Sequence, residues 1–174
     1  MSQDSAHFSA PAPLVALCGW VVPGGGYLLI GQKIRGLTIG ITIVAIFVMG
    51  ILIAGVRVID PPGYDNKGVP VFVNASGQKV LRPGAGDRWA LWGRPMAEIA
   101  NKPWFVGQVL SGPICLISAR WSMKVAQPGD AKLAVPPSHG RIYEIGTLYT
   151  AVAGMLNLLA MIDASHRASQ GARG

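Results

Sequence analysis

LTIGITIVAIFVMGILIAGVRVI, residues 37–59, decides the reading of this chain. Its first 20 residues contain no charged side chain. A helix rising about 1.5 Å per residue needs about 20 residues to cross a ~30 Å hydrocarbon core. Arg57 sits where its long stem can carry the guanidinium to the head groups. Asp60-Pro61-Pro62-Gly63 then stops the helix.

The rest of the chain is read outward from this span. Upstream, residues 13–22 are apolar, Pro23, Gly24, Gly25 and Gly26 break the pattern, and Tyr27 to Gly31 resume it. The stretch is long enough to cross, with its break near the middle. Broken backbone at membrane depth persists only where neighbours or water satisfy it. A kinked crossing helix is expected; the alternative is two half-helices in a re-entrant hairpin. Gln32 to Gly36 is a short polar connection, so residues 13–59 read as an antiparallel helical hairpin.

Downstream, residues 60–102 form a soluble or interfacial loop. Val69 to Val73 and Gln78 to Leu81 flank a turn cluster and predict a small β-hairpin. Asn74-Ala75-Ser76 matches a glycosylation acceptor, a pattern that chance produces easily. Trp89, Trp92, Met96 and Ile99 recur at helical spacing, which points to an amphipathic segment in the interface. With Trp104 they form a belt at head-group level. The third span opens at Pro103 and runs to about Trp121, with Pro113 as a kink. The fourth covers Ile142 to Ala164. Residues 1–12 and 165–174 read as tails.

The expected fold is therefore an all-α integral membrane protein with about four transmembrane helices in one domain. Composition agrees. Only 13% of residues are charged, against about 25% in ordinary soluble domains. The net charge is +7, from 15 Lys and Arg against 8 Asp and Glu. The basic residues are scattered between apolar runs and form no stripe, so nucleic acid is not an expected partner. The lipid bilayer is. Met1 to Pro13 contains no Lys or Arg, so a cleaved signal peptide is not expected. Summed basic residues favour termini inside. The first hairpin, with Lys33 and Arg35 after it and no basic residue before it, favours termini outside, and the first helix usually dominates. Termini outside is the expected orientation.

Small residues four apart let helices approach closely where lipid supplies no hydrophobic force. Gly36 and Gly40 open the second span; Gly146, Thr150 and Gly154 run down the fourth. They fit packing within one bundle or an interface with a membrane-protein partner or a second copy. Gln108 and Asn157 are amides inside spans, and Glu144 is a carboxylate in a first helical turn. Interhelical hydrogen bonding accounts for the amides, and the helix dipole for Glu144. The sharper reading makes the three a polar permeation site. Cys18 and Cys115 sit singly in apolar runs, and His7, His139 and His166 lie far apart, so no catalytic, metal or cofactor site is expected.

Two stretches carry a resemblance. Pro23 to Gly31, followed by Arg35-Gly36 and an apolar helix, resembles the opening of two-helix membrane-hairpin domains. Tyr143 to Ala164 resembles the last helix of an uncharacterised membrane family of planctomycetes and acidobacteria. The resemblance implies a multi-pass protein of a bacterial inner membrane and brings no activity. The expected function is a non-enzymatic structural or accessory component of a membrane assembly. The alternative is a small oligomeric transporter or channel using Gln108, Glu144 and Asn157.

Overall fold

The computed structural model describes residues 10–62, 64, 71–73, 79–81, 102–126 and 139–171. Its helices are α1 (Ala12–Val21), α2 (Gly25–Leu29), α3 (Lys33–Ala54), α4 (Pro103–Val109), α5 (Pro113–Ala126) and α6 (Arg141–Gly171), with a 3-10 turn at Val56–Val58. Between α3 and α4, β1 (Val71–Val73) pairs antiparallel with β2 (Lys79–Leu81), placing Val71 opposite Leu81 and Val73 opposite Lys79.

Two of the described helices are long and apolar enough to cross a membrane, α3 and Arg141–Gln170 of α6. They run antiparallel. A Cβ at Gly50 of α3 would stand 2.8 Å from the Thr150 methyl carbon of α6. At the other end, Tyr27, just before α3, donates to Asp163 near the end of α6.

The other two expected crossings are corrected. Residues 13–31 do not form a kinked crossing helix; the chain reverses. A Cβ at Gly26 would lie 2.9 Å from the Val15 carbonyl oxygen, and one at Gly25 would lie 2.7 Å from that of Cys18. In a single helix Val15 and Gly26 would be about 16 Å apart along the axis. Residues 103–121 reverse as well. α4 reaches Leu110 beside Asn157, and α5 returns until Ser122 accepts from Arg57, just beyond the end of α3. Consequently α1 and α3 both run antiparallel to α6 and parallel to each other, not as an antiparallel pair.

Local sequence explains both reversals. Each has a three-residue connector ending in glycine, Val22-Pro23-Gly24 and Leu110-Ser111-Gly112. Gly24 and Gly112 have φ of 79° and 90°, the left-handed region that a Cβ disfavours. Pro23 biases Val22 away from the helical region, and Pro113 is suited to a first helical turn. A proline kink alone would have left both segments straight enough to cross.

The tail expected from residue 165 is also corrected: α6 continues to Gly171, with Ala164 and Ala168 buried. The core lies along α6, where Val15, Ile43, Phe47, Phe105 and Ala153 are buried, and continues to Cys115 and Ala119 of α5, which packs on the 3-10 turn.

Candidate functional site

α1 descends along one end of α6 and α4 ascends along the other. Their C-termini meet at the level of Asn157. A helix C-terminus leaves carbonyl oxygens without intrahelical partners. Two such ends inside a protein concentrate acceptors, and side chains from elsewhere must supply donors. Asn157 supplies two: its Nδ2 donates to the Gly19 oxygen at 3.1 Å and to the Leu110 oxygen at 2.9 Å. The Trp20 indole donates to the Val109 oxygen at 3.1 Å. One amide and one indole thus tie two helix ends to each other and to α6.

A second polar knot lies two turns earlier on α6. Gln108 Nε2 donates to the Thr150 hydroxyl at 2.8 Å and to the Val58 oxygen at 3.2 Å. The Thr150 hydroxyl can donate back to the Gly146 oxygen at 3.0 Å. Gln108 and Asn157 are both 0% exposed. Asn157 Oδ1 and Gln108 Oε1 have no hydrogen-bond partner among the described residues.

The small-residue positions serve these junctions. On α3, a Cβ at Gly36 would stand 2.8 Å from the Gly24 oxygen, and one at Gly40 would overlap the Pro23 oxygen. They seat the first reversal, not a second crossing helix. On α6, Gly146 faces Gly50 and Ala54, while a Cβ at Gly154 would overlap the Gly107 oxygen. Gly112 faces Trp20 just as closely. All five predicted packing positions are buried within this one chain. So are Gly24, Gly25 and Gly26 of the predicted break, while Pro23 is half-buried.

Charged groups occupy the two ends of the bundle. At the end shared by α3's C-terminus and α4's N-terminus, Lys102 pairs with Asp60 at 2.6 Å and donates to the Tyr64 oxygen at 2.7 Å. Arg57 donates to the Ser122 oxygen at 3.2 Å there. At the opposite end Tyr27 donates to Asp163 at 2.6 Å and Arg167 donates to the same carboxylate at 2.8 Å. The Arg35 guanidinium stands 5.5 Å from the centroid of the Tyr27 ring. Sequence reading missed the Lys102–Asp60 and Tyr27–Asp163 contacts because their partners lie 42 and 136 positions apart, whereas Arg167 stands only four residues from Asp163. Proximity to helix ends was the one available signal.

Residues 14–174 match a family of unknown function, DUF6677. The chain belongs to DUF6677. No curated protein and no solved structure matches it.

The structure of this DUF6677 chain separates the three residues of the suspected permeation site. Gln108 and Asn157 are buried in different hydrogen-bonded knots, and Glu144 is exposed on the first turn of α6. Trp104 is 37% exposed at the start of α4. Trp89 and Trp92 lie outside the described residues. Cys18 and Cys115 are free thiols. Among the described residues no three His, Cys, Asp or Glu side chains are grouped to hold a metal ion.

Proposed function

We propose that this DUF6677 protein is an integral protein of the bacterial cell membrane that serves as a structural or accessory component of a membrane assembly. It crosses twice, through α3 and α6. The α1–α2 and α4–α5 pairs enter as re-entrant hairpins from opposite faces. Several observations support this arrangement. Both long helices carry outward apolar side chains, with Leu37, Ile41 and Leu52 on α3 and Leu148, Met155 and Leu159 on α6 all exposed. In water such surface would be a liability; in lipid it is the ordinary exterior. At the reversals Gly24, Ser111 and Gly112 are buried, as irregular backbone in a hydrocarbon surround requires, while Val22 turns an apolar side chain outward.

The start of α1 and the end of α6 then share a face with Lys33, Arg35 and Arg167. Arg57, Lys102, Lys124 and Arg141 lie toward the opposite face, and the sequence between α3 and α4 carries Lys67, Lys79, Arg82, Arg88 and Arg94 as well. The positive-inside tendency makes that richer face cytoplasmic and puts the termini outside.

One observation carries the non-catalytic reading: the buried polar side chains are spent on closing broken helices. Asn157 caps two helix ends, and Gln108 and Thr150 bond each other and backbone. The transporter alternative needs Glu144 beside these amides, and its exposure on a separate face removes that support.

The test is purification from native membranes in mild detergent after in-cell cross-linking. The expected result is a defined membrane protein at fixed stoichiometry. Recovery of a lone monomer, with ion or solute flux in proteoliposomes, would overturn the proposal.

A further inference from the structure

A groove of about 410 Å³ runs between α3 and α6 on the face of the termini. Its mouth is Tyr27, Arg35 and Asp163. Below them its walls are Thr38, Ile39, Thr42 and Ile43 of α3, and Leu156, Leu159 and Ala160 of α6. The two threonines add little polarity. Each hydroxyl donates to a carbonyl four residues back in its own helix, at 2.9 Å for Thr38 and 2.8 Å for Thr42. The groove is thus apolar in its depth and charged at its lip.

Among the described residues the charge at the lip is unbalanced. Asp163 is shared by Arg167 and the Tyr27 hydroxyl. Among the described residues Arg35 enters no salt bridge; its guanidinium stacks over Tyr27 and is exposed. Arg35 and Arg167 therefore face one carboxylate between them. α3 begins at Lys33 with no acidic residue in its first turn and no side-chain cap, so the helix's own dipole adds positive potential beside Arg35.

Depth fits as well as charge. Arg35 and Ile43 are eight residues apart, about 12 Å along the helix. That approaches half of a ~30 Å hydrocarbon core, the reach of one leaflet.

We infer that this groove binds one anionic phospholipid of the leaflet on the terminal side, its phosphate on Arg35 and one acyl chain between α3 and α6. The inference rests on the membrane reading above. A zwitterionic lipid would bring its own cation against Arg35 and Arg167. An anionic head group supplies the charge that the lip lacks. The lipid would wedge the crossing helices apart at this end, while Gly50 and Gly146 hold them together at the other.

The test uses the full chain in nanodiscs of equimolar phosphatidylglycerol and phosphatidylcholine, with lipid retained after gentle extraction read by native mass spectrometry. One phosphatidylglycerol per protein is expected. Arg35→Gln should lower the preference for it by about fivefold, the effect of one basic side chain near anionic lipid. Thr42→Trp, at an exposed groove position, should abolish retention of either lipid. Equal retention of both lipids by the wild type, no retained lipid, or an unchanged preference in Arg35→Gln would overturn the inference. A chain that fractionates as a soluble protein would instead overturn the membrane reading, so the two failures are distinguishable.

Discussion

Asn157 donates to the carbonyl oxygen of Gly19 at 3.1 Å, across 138 positions of sequence. The same amide nitrogen reaches Leu110, so a single side chain closes the ends of α1 and α4. Replacing it strands one buried and one part-buried acceptor. A buried acceptor left unsatisfied costs about 1–3 kcal/mol, and interhelical bonds in membranes fall at the lower end. Asn157→Leu should therefore lower stability by about 2 kcal/mol. Thermal unfolding in detergent would show it as a clear fall in Tm. Leu159→Ala, at a position 63% exposed, should leave Tm nearly unchanged. Equal effects of the two substitutions would remove Asn157 from its bridging role.

Gly154 makes a steric prediction. A methyl group there overlaps the Gly107 oxygen, and backbone cannot rotate away as a side chain can. Forcing extra volume into a packed interior costs about 1–3 kcal/mol. Gly154→Ala should destabilise within that range. Thr147→Ala removes a hydroxyl that bonds only its own helix at Tyr143 and should be close to neutral. Comparing their unfolding midpoints in the same detergent checks this.

Residues 37–59 and 142–164 were legible as apolar runs of crossing length, but the first helix runs Lys33–Ala54: Gly55, at φ 78°, ends it ahead of the Asp60-Pro61-Pro62-Gly63 stop expected from sequence. The small residues on α3 and α6 were legible as packing positions from their spacing of four. What they pack against was not. Gly36 and Gly40 read as a seat for another helix, and they seat a turn. Pro23 and Pro113 were visible as breaks, but a proline marks where a helix is disturbed, not the angle at which the chain leaves. The angle came from Gly24 and Gly112. Their positive φ matters only together with close approach to Gly36 and Trp20, which lie outside the local window. Gln108 and Asn157 were visible as costly amides. Their distribution over two separate knots depended on α4 ending at Leu110 instead of continuing.

Lys102 and Asp60 form a buried ion pair, with side chains 7% and 13% exposed. Removing one partner of such a pair costs about 3–5 kcal/mol, whereas an apolar pair of similar volume can be nearly neutral. Lys102→Met should therefore be strongly destabilising, and adding Asp60→Leu should restore part of the loss. Recovery stays incomplete because Lys102 also donates to the Tyr64 and Pro61 oxygens. A double-mutant cycle on unfolding free energy measures the coupling. Simple additivity of the two substitutions would mean the pair is not coupled.

The two reversals make a topological prediction that four crossings cannot share. With four crossing helices, Gln32 lies on the face opposite the termini, together with Lys124. With two crossings and two re-entrant hairpins, α2 returns the chain to the face it came from. Gln32 then joins Gln170, and Lys124, near the end of α5, lies across the membrane from both. Gln32, Lys124 and Gln170 are half-buried or exposed, so each can carry a probe. In a Cys18→Ser, Cys115→Ala background, single Gln32→Cys, Lys124→Cys and Gln170→Cys variants are treated with a membrane-impermeant maleimide on sealed cells. Gln32→Cys and Gln170→Cys should label together from outside. Lys124→Cys should label only after the membrane is opened. If Gln32→Cys behaved like Lys124→Cys and unlike Gln170→Cys, the first reversal would not exist in the membrane. The seat of Gly24 on Gly36 would then have to be abandoned with it.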